Sequence, residues 1–354
     1  NIFYVDKTEF INLWWKEEDI VTLITRPRRF GKTLTLNMVK CFFSYEYKEE
    51  GEKLFRGTKI FKYQDMMQIQ GTYPVIFLSF GKNKSQDISS IINSIKKEIA
   101  TVFNSFQNVL FENIDKFNEN EINFIKSIDF NMSNETAFIA INYLCMFLYR
   151  IFSKKVIVLL DEYDSPMLNF WFKHDIESLR CLASFIQSFF CSTFKENPFL
   201  ERAIITGITQ ICKESFFSGF DNILVITTTS RFYSTIFGFT DAEVEQILKN
   251  YRLDYWKEEV RKWYKGYHFG NSKDIYNPWS ITMFIKCLKK PTCYWVSTSD
   301  NEIVNNLIKN SSKSVIVGLI NLLQGLDYEI SFEEENSIFG LLVSSGYLTI
   351  VGEY

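Results

Sequence analysis

Five short apolar runs, rich in β-branched residues and set far apart along the chain, constrain the fold more than any other feature. They are "DIVTLIT" (Asp19 to Thr25), "YPVIFLSF" (Tyr73 to Phe80), "KVIVLL" (Lys155 to Leu160), "RAIIT" (Arg202 to Thr206) and "NILVITTT" (Asn222 to Thr229). Near-continuous apolar runs of this length predict strands covered on both faces. Long amphipathic segments separate them, including helices expected over Thr136 to Phe152 and around Leu179 to Phe194. That alternation predicts an α/β fold built on a parallel sheet with crossover helices. Residues 82–134 are polar and rich in Asn and Lys, and are expected to form helices and loops outside the sheet.

Local signals mark the ends of several helices. Asp6, three residues before Glu9, predicts a capping box and a helix from about Lys7 to Trp15. Leu34, Met38 and Phe42 mark one apolar face of a helix that follows the β-branched "DIVTLIT" and its loop. Thr240 with Glu243, and Asn277 before Pro278, predict two more helix starts. From "GFTDAEVEQIL" onward the strand signals thin out, and "YEISF", "EENSIFGLLVSSG" and "YLTIVG" suggest strand, helix, strand. The expected division is a core over 1–237 and a helical lid with a winged-helix-like module over 238–354. A chain of 354 residues exceeds one ordinary core, which fits two parts.

Charge and cysteine usage narrow the function classes. A formal net charge of −3 argues against a surface built throughout to coat nucleic acid. The seven cysteines include no CxxC pair and only His174 and His268 could join them, so reduced thiols in a cytoplasmic protein are expected, without zinc. The uncharged runs Thr136 to Tyr149 and Ser337 to Gly352 fall short of the roughly 18 to 20 apolar residues a membrane span needs, so no membrane partner is expected. The sequence opens at Asn1 with no charged-then-apolar leader, and no signal peptide is read there.

The segment "TRPRRFGKTLTL", Thr25 to Leu36, carries the chemistry. A phosphate-binding loop reads GxxxxGK[ST]; Gly31, Lys32 and Thr33 supply its second half, while Arg26 stands where the first glycine would. Gly31 lets backbone N–H groups approach phosphate oxygens, Lys32 can reach the β- and γ-phosphates, and Thr33 can place a hydroxyl on Mg²⁺. Arg29, Phe30 and Leu34 complete the expected cofactor-contacting stretch. Pro27 fixes its own φ and pushes Arg26 toward extended geometry, so the chain can leave the strand without the missing glycine. The plainer alternative is a basic loop that happens to spell GKT; its place between a strand and a helix favours the phosphate loop.

"KVIVLLDEYDSP" is the second motif. A strand ending in Asp161 offers a carboxylate for the metal, and Glu162 beside it can polarise an attacking water. The alternative is that both merely end a strand and solvate a turn. Thr206, at the end of the next strand, fits a polar sensor or a water-orienting group, and equally a strand-end Thr bonded to backbone. Arg231 would serve a neighbouring subunit only in a homo-oligomer, and a surface arginine is the simpler reading. The serines lie in no G-x-S-x-G context, and Trp263, Tyr264, Tyr267, Trp279 and Trp295 fit packing better than base stacking.

Beyond these two motifs, "FYVDKTEFI", "LITRPRRFGKTLTLNM", "VIVLLDEYDSPM", "ITGITQI", "GFTDAEV", "YKGYHFG" and "IYNPWSI" span nearly the whole chain. In that order they resemble the AAA-ATPase-like family, often fused to a C-terminal PD-(D/E)XK nuclease-like domain. Arg26 in the first glycine's place belongs to that family's pattern. The resemblance implies an additional-strand P-loop NTPase core with sheet order 5-1-4-3-2. It implies Gly31, Lys32 and Thr33 as the phosphate and metal loop, Asp161 as the magnesium carboxylate and Glu162 as the catalytic one. The expected cofactors are ATP and Mg²⁺, ATP being preferred to GTP because no NKxD motif stands out. Two functions follow: a Mg²⁺-dependent ATPase whose cycle moves the C-terminal part, or a non-hydrolysing regulatory module that positions a nuclease-like domain on nucleic acid.

Overall fold

The computed structural model describes residues 3–81, 87–170, 176–211 and 223–287, with 291–292, 294, 329–330, 342–343 and 345–346 beyond them. All five apolar runs form strands: β1 Val21–Thr25, β2 Val75–Ser79, β3 Val156–Asp161, β4 Leu200–Gly207 and β5 Ile223–Ile226. They build one parallel sheet in the order β2-β3-β4-β1-β5. Read from the other edge this is 5-1-4-3-2, with β4 inserted between the strands that lead into the two motifs. The chain therefore has an additional-strand P-loop NTPase core.

Because side chains alternate across a strand, each run serves two cores at once. Val21, Leu23, Val158, Leu160, Ala203 and Ile205 enter one cluster, while Ile24, Ile157, Leu159 and Ile204 enter the other. Helices α1 (Glu9–Lys16) and α2 (Lys32–Phe43) cover the second face. Helices α3 (Ile88–Ser105), α4 (Asn134–Phe152) and α5 (Ile176–Phe190) cover the first. Double coverage leaves every residue of β1 and β3 buried. Truncating Leu159 to Ala there would cost about 2–5 kcal/mol.

Helix α4 is long and apolar enough to cross a membrane by length and composition, yet Ala137, Ile141, Leu144, Phe147 and Leu148 lie in the sheet's core cluster. Its start is fixed by Ser133, whose hydroxyl accepts from the Thr136 N–H. The polar stretch after β2 does lie outside the sheet, as α3 and the shorter helices Gln107–Glu112 and Glu119–Ser127.

Two local expectations are corrected. Asp6 forms no capping box: its Oδ1 accepts from the N–H and hydroxyl of Thr8, and its Oδ2 from the Lys59 N–H, 53 residues away. Helix α1 consequently starts two residues late, at Glu9, with Thr8 as its N-cap. In α2 the buried stripe runs through Leu36, Val39, Phe42 and Phe43, while Leu34 is 68% exposed.

After the sheet, α6 (Asp241–Asn250) opens on the expected Thr240–Glu243 capping box. Helix α7 (Lys257–Tyr264) follows, and then an antiparallel hairpin, β6 (Lys265–Phe269) and β7 (Ser272–Tyr276). Asn277 caps α8 (Pro278–Lys286) by accepting from the N–H groups of Trp279 and Ser280. Val244, Leu248, Val260, Tyr276 and Phe284 form a third core that joins these elements. Lys7 reaches across to this part, donating to Glu243 and to the Thr235 carbonyl, each at 2.6 Å. Most of the strand–helix–strand expected over 328–352 lies outside the described residues; within it, Glu329–Ile330 pairs in parallel with Gln210–Ile211.

Candidate functional site

The parallel register aligns the strand ends, placing Thr25 beside Gly207 and Ser79 beside Asp161. Two turns leave this carboxyl edge, the place where open α/β sheets collect ligands.

The first turn runs from Arg26 to Gly31. The Arg26 N–H continues the β1–β4 ladder by bonding the Gly207 carbonyl at 3.1 Å. Its guanidinium is fully buried and donates to the carbonyls of Thr25 (2.8 Å), Thr227 (2.6 Å) and Phe232 (3.3 Å). The rings of Phe269 and Phe237 lie 5.0 and 5.5 Å from it. Burial pushes its pKa down to about 9. Arg29 and Gly31 take left-handed backbone, φ 68° and 83°. For the arginine this costs about 1–2 kcal/mol; for Gly31 it is free, and no atom lies within 4 Å of where a Cβ would sit.

Helix α2 begins immediately after Gly31, so its unpaired N–H groups face the loop. The Lys32 amine, nearly buried, donates to the carbonyls of Arg26 (2.9 Å) and Pro27 (3.0 Å). Burial pushes its pKa down to about 8, against the pull of Asp161, Asp164 and Glu162.

The second turn is 161–164. Asp161 is buried, and its oxygens are shared: Oδ2 accepts from the Thr33 hydroxyl at 2.5 Å, and Oδ1 from the Thr206 hydroxyl at 2.5 Å and the Glu162 N–H at 3.0 Å. Glu162 has φ 52° and its carboxylate takes a bond from the Ser165 hydroxyl at 3.3 Å. That carboxylate fills the space over Gly81, where a Cβ would stand 1.9 Å from Oε2. Burial first, then the neighbouring Asp161 charge, raises the Glu162 pKa.

Lys32, Thr33, Asp161, Glu162 and Thr206 thus meet at one edge although 173 residues separate Thr33 from Thr206 in sequence. Their neighbours on the loop behave differently. Phe30 turns its ring into the core against Tyr267 and Phe269, and Leu34 faces solvent, so neither side chain joins the cluster. The Arg29 guanidinium lies 4.6 Å from the Trp279 ring. Arg231 is exposed, and His174 lies outside the described residues.

Sequence reasoning assigned nothing to two groups at this edge. Arg28 lies near enough for its charge to lower the pKa of both Lys32 and Glu162. Asp164, fully buried, accepts from the N–H groups of Ile208 and Thr209. Charged residues within "RPRRFGKT" and "DEYDSP" were the available signal, but the sequence does not say which of them turn inward.

A model of the predicted AAA-ATPase family matches residues 1–217. The chain belongs to that family. The match takes in the whole first turn, the whole second turn and Thr206, so this AAA-ATPase-like chain is a P-loop, nucleotide-binding protein. An Azotobacter chroococcum mcd 1 protein, described as an uncharacterized protein in the vnfD 5' region, is 26% identical over 359 residues. That alignment covers 98% of this chain and 60% of the relative, so the chain spans less than two thirds of the relative's length. A solved Walker-type ATPase of Pyrococcus abyssi is similar at 16% identity, with 91% of this chain and 75% of that chain covered and a TM-score of 0.42.

Proposed function

We propose that this chain binds ATP with Mg²⁺ at the two turns and hydrolyses it, and that the cycle moves the part from residue 238 onward against the core of 1–237. The observation that carries the reading is the meeting of Thr33, Asp161 and Thr206 through two 2.5 Å hydrogen bonds beside the Lys32 amine. The residues suit the missing group. Mg²⁺ takes oxygen ligands, typically one or two carboxylates with phosphate and water, and a hydroxyl and a carboxylate oxygen already face one point here. Phosphate needs N–H donors and a cation, which the start of α2, Gly31 and Lys32 offer.

Bound Mg²⁺–ATP supplies a polarised phosphoanhydride with its charge partly neutralised. The Lys32 amine would bind phosphate oxygens in place of its loop carbonyls, an attraction that desolvation strengthens. Thr33 and Asp161 would hold the metal. Glu162, whose pKa burial raises, would orient a water and take its proton. Thr206 keeps Asp161 oriented.

Single-turnover ATP hydrolysis on the purified chain, with and without DNA or RNA, tests the reading. Hydrolysis that disappears in Glu162→Gln while binding survives supports it. Tight ATP binding with no turnover in the parent favours the second reading, a regulatory module that keeps nucleotide and positions further domains. Its supporting observation is the relative's greater length.

A further inference from the structure

The geometry points to Asp164 as a positioning residue that clamps the second turn to the end of β4, holding Glu162 and Thr206 in the arrangement hydrolysis needs. The inference rests on the roles given to those two residues above. Asp164 is fully buried and touches neither Lys32 nor Asp161 by a hydrogen bond; its Oδ2 accepts from the Ile208 N–H at 2.8 Å, the Thr209 N–H at 2.8 Å and the Thr209 hydroxyl at 2.9 Å. Burial raises the Asp164 pKa, and these three donors oppose it by favouring the charged carboxylate. Its Oδ1 is buried without a hydrogen-bond partner among the described residues, so the carboxylate is retained at a desolvation cost.

What the carboxylate holds is specific. Tyr163 returns the connection from the other side, its N–H bonding the Thr206 carbonyl at 3.0 Å and its hydroxyl the Thr209 carbonyl at 2.8 Å. The turn 161–164 and the segment 206–209 are therefore stitched at both ends. Between the stitches sits Glu162 with its left-handed backbone, φ 52°, a conformation that persists only where the surroundings enforce it. Loss of the Asp164 bonds frees the downstream side of Glu162 to relax to negative φ, which carries its carboxylate off Gly81. The same loss frees 208–209, and with them the strand end that aims the Thr206 hydroxyl at Asp161. The Lys32 loop shares only the Arg26–Gly207 bond with this strand end and is held besides by the Arg26 bonds to Thr227 and Phe232, so nucleotide binding is largely spared.

The test uses the full chain and two variants, Asp164→Ala, which removes the acceptor of all three bonds, and Thr209→Val, which removes one donor with little change of shape. Binding of a fluorescent ATP analogue, single-turnover hydrolysis, thermal unfolding and amide exchange over 203–211 are measured on each. Asp164→Ala is expected to bind within about threefold of the parent, hydrolyse at least about 30-fold more slowly, and exchange the Ile208 and Thr209 amides at least about tenfold faster. Thr209→Val is expected to slow hydrolysis about three- to tenfold with binding unchanged. Turnover within threefold of the parent in Asp164→Ala overturns the inference, and so does a parallel loss of affinity and turnover in Thr209→Val, which marks a merely structural group. If the parent itself binds ATP without turnover, the hydrolytic reading fails and the positioning role falls with it. Unchanged exchange at 208–209 in Asp164→Ala overturns the clamp whether or not the parent hydrolyses ATP.

Discussion

The two turns at the carboxyl edge are held by opposite means. The basic turn is anchored by long side chains that reach forward in sequence: Arg26 to the carbonyls of Thr227 and Phe232, Phe30 to the rings of the β6–β7 hairpin, and Arg29 to Trp279. The acidic turn is anchored to the adjacent strand β4 and the residues just after it, through Asp161, Tyr163 and Asp164. One turn thus depends on chain that follows the sheet, and the other belongs to the sheet itself. On the proposed function, binding and its coupling to the later elements fall to the first turn, and turnover to the second.

The strongest test of that division is a pair of substitutions. Lys32→Ala should weaken ATP affinity about 100-fold or more, the loss of a charge-assisted phosphate contact in a desolvated loop. Glu162→Gln should leave affinity within about threefold and slow single-turnover hydrolysis by about 100-fold or more. Titration calorimetry and a quenched-flow assay read the two effects separately; swapped outcomes would invert the comparison.

A smaller effect is expected at Arg26. Lysine keeps the charge but cannot span the carbonyls of Thr25, Thr227 and Phe232 together, so Arg26→Lys should weaken ATP about tenfold, about 1.4 kcal/mol, and lower the melting temperature by several degrees. Unchanged affinity would show that the first turn does not need its forward anchor.

The Lys32 pKa adds a pH dependence. Its amine is charged below about 8 in the unliganded fold, so ATP affinity should fall as pH rises through that value. Unliganded stability should move the other way. Burying the charged amine costs most below about 8, and the cost is relieved as pH rises toward the ordinary lysine value, so stability rises across that window. Lys32→Met should reduce this rise in denaturant titrations between pH 7 and 10. The smallest expected effect is at Trp279: replacement by Phe should change affinity less than about threefold while removing the tryptophan fluorescence response to ATP.

The sheet was readable because burial on both faces leaves an unbroken apolar run, and β1 to β5 each follow one. The hairpin escaped notice although "YHFGNSKDIY" places Gly-Asn between two strands, a known hairpin signal; the aromatics nearby read as core and lid packing. On helix α2 the stripe was misplaced only at its first residue: Phe42 is buried and Met38 packs against the second core, but Thr33 must point at Asp161, and one step of about 100° puts Leu34 into solvent. Asp6 was misread for a long-range reason, since the Lys59 N–H takes the oxygen a capping box would use. At the site, residue types and spacing named Lys32, Thr33, Asp161, Glu162 and Thr206 as candidates, whereas Asp164 depends on the backbone turn at Glu162, which no propensity encodes.

A double-mutant cycle between Thr33→Val and Asp161→Asn, read in ATP affinity with and without Mg²⁺, tests most directly whether the two turns act on one metal-bound nucleotide. The account predicts a coupling of about 1 kcal/mol or more that appears only with Mg²⁺. Additive losses in Mg²⁺, or a coupling indifferent to the metal, would contradict it.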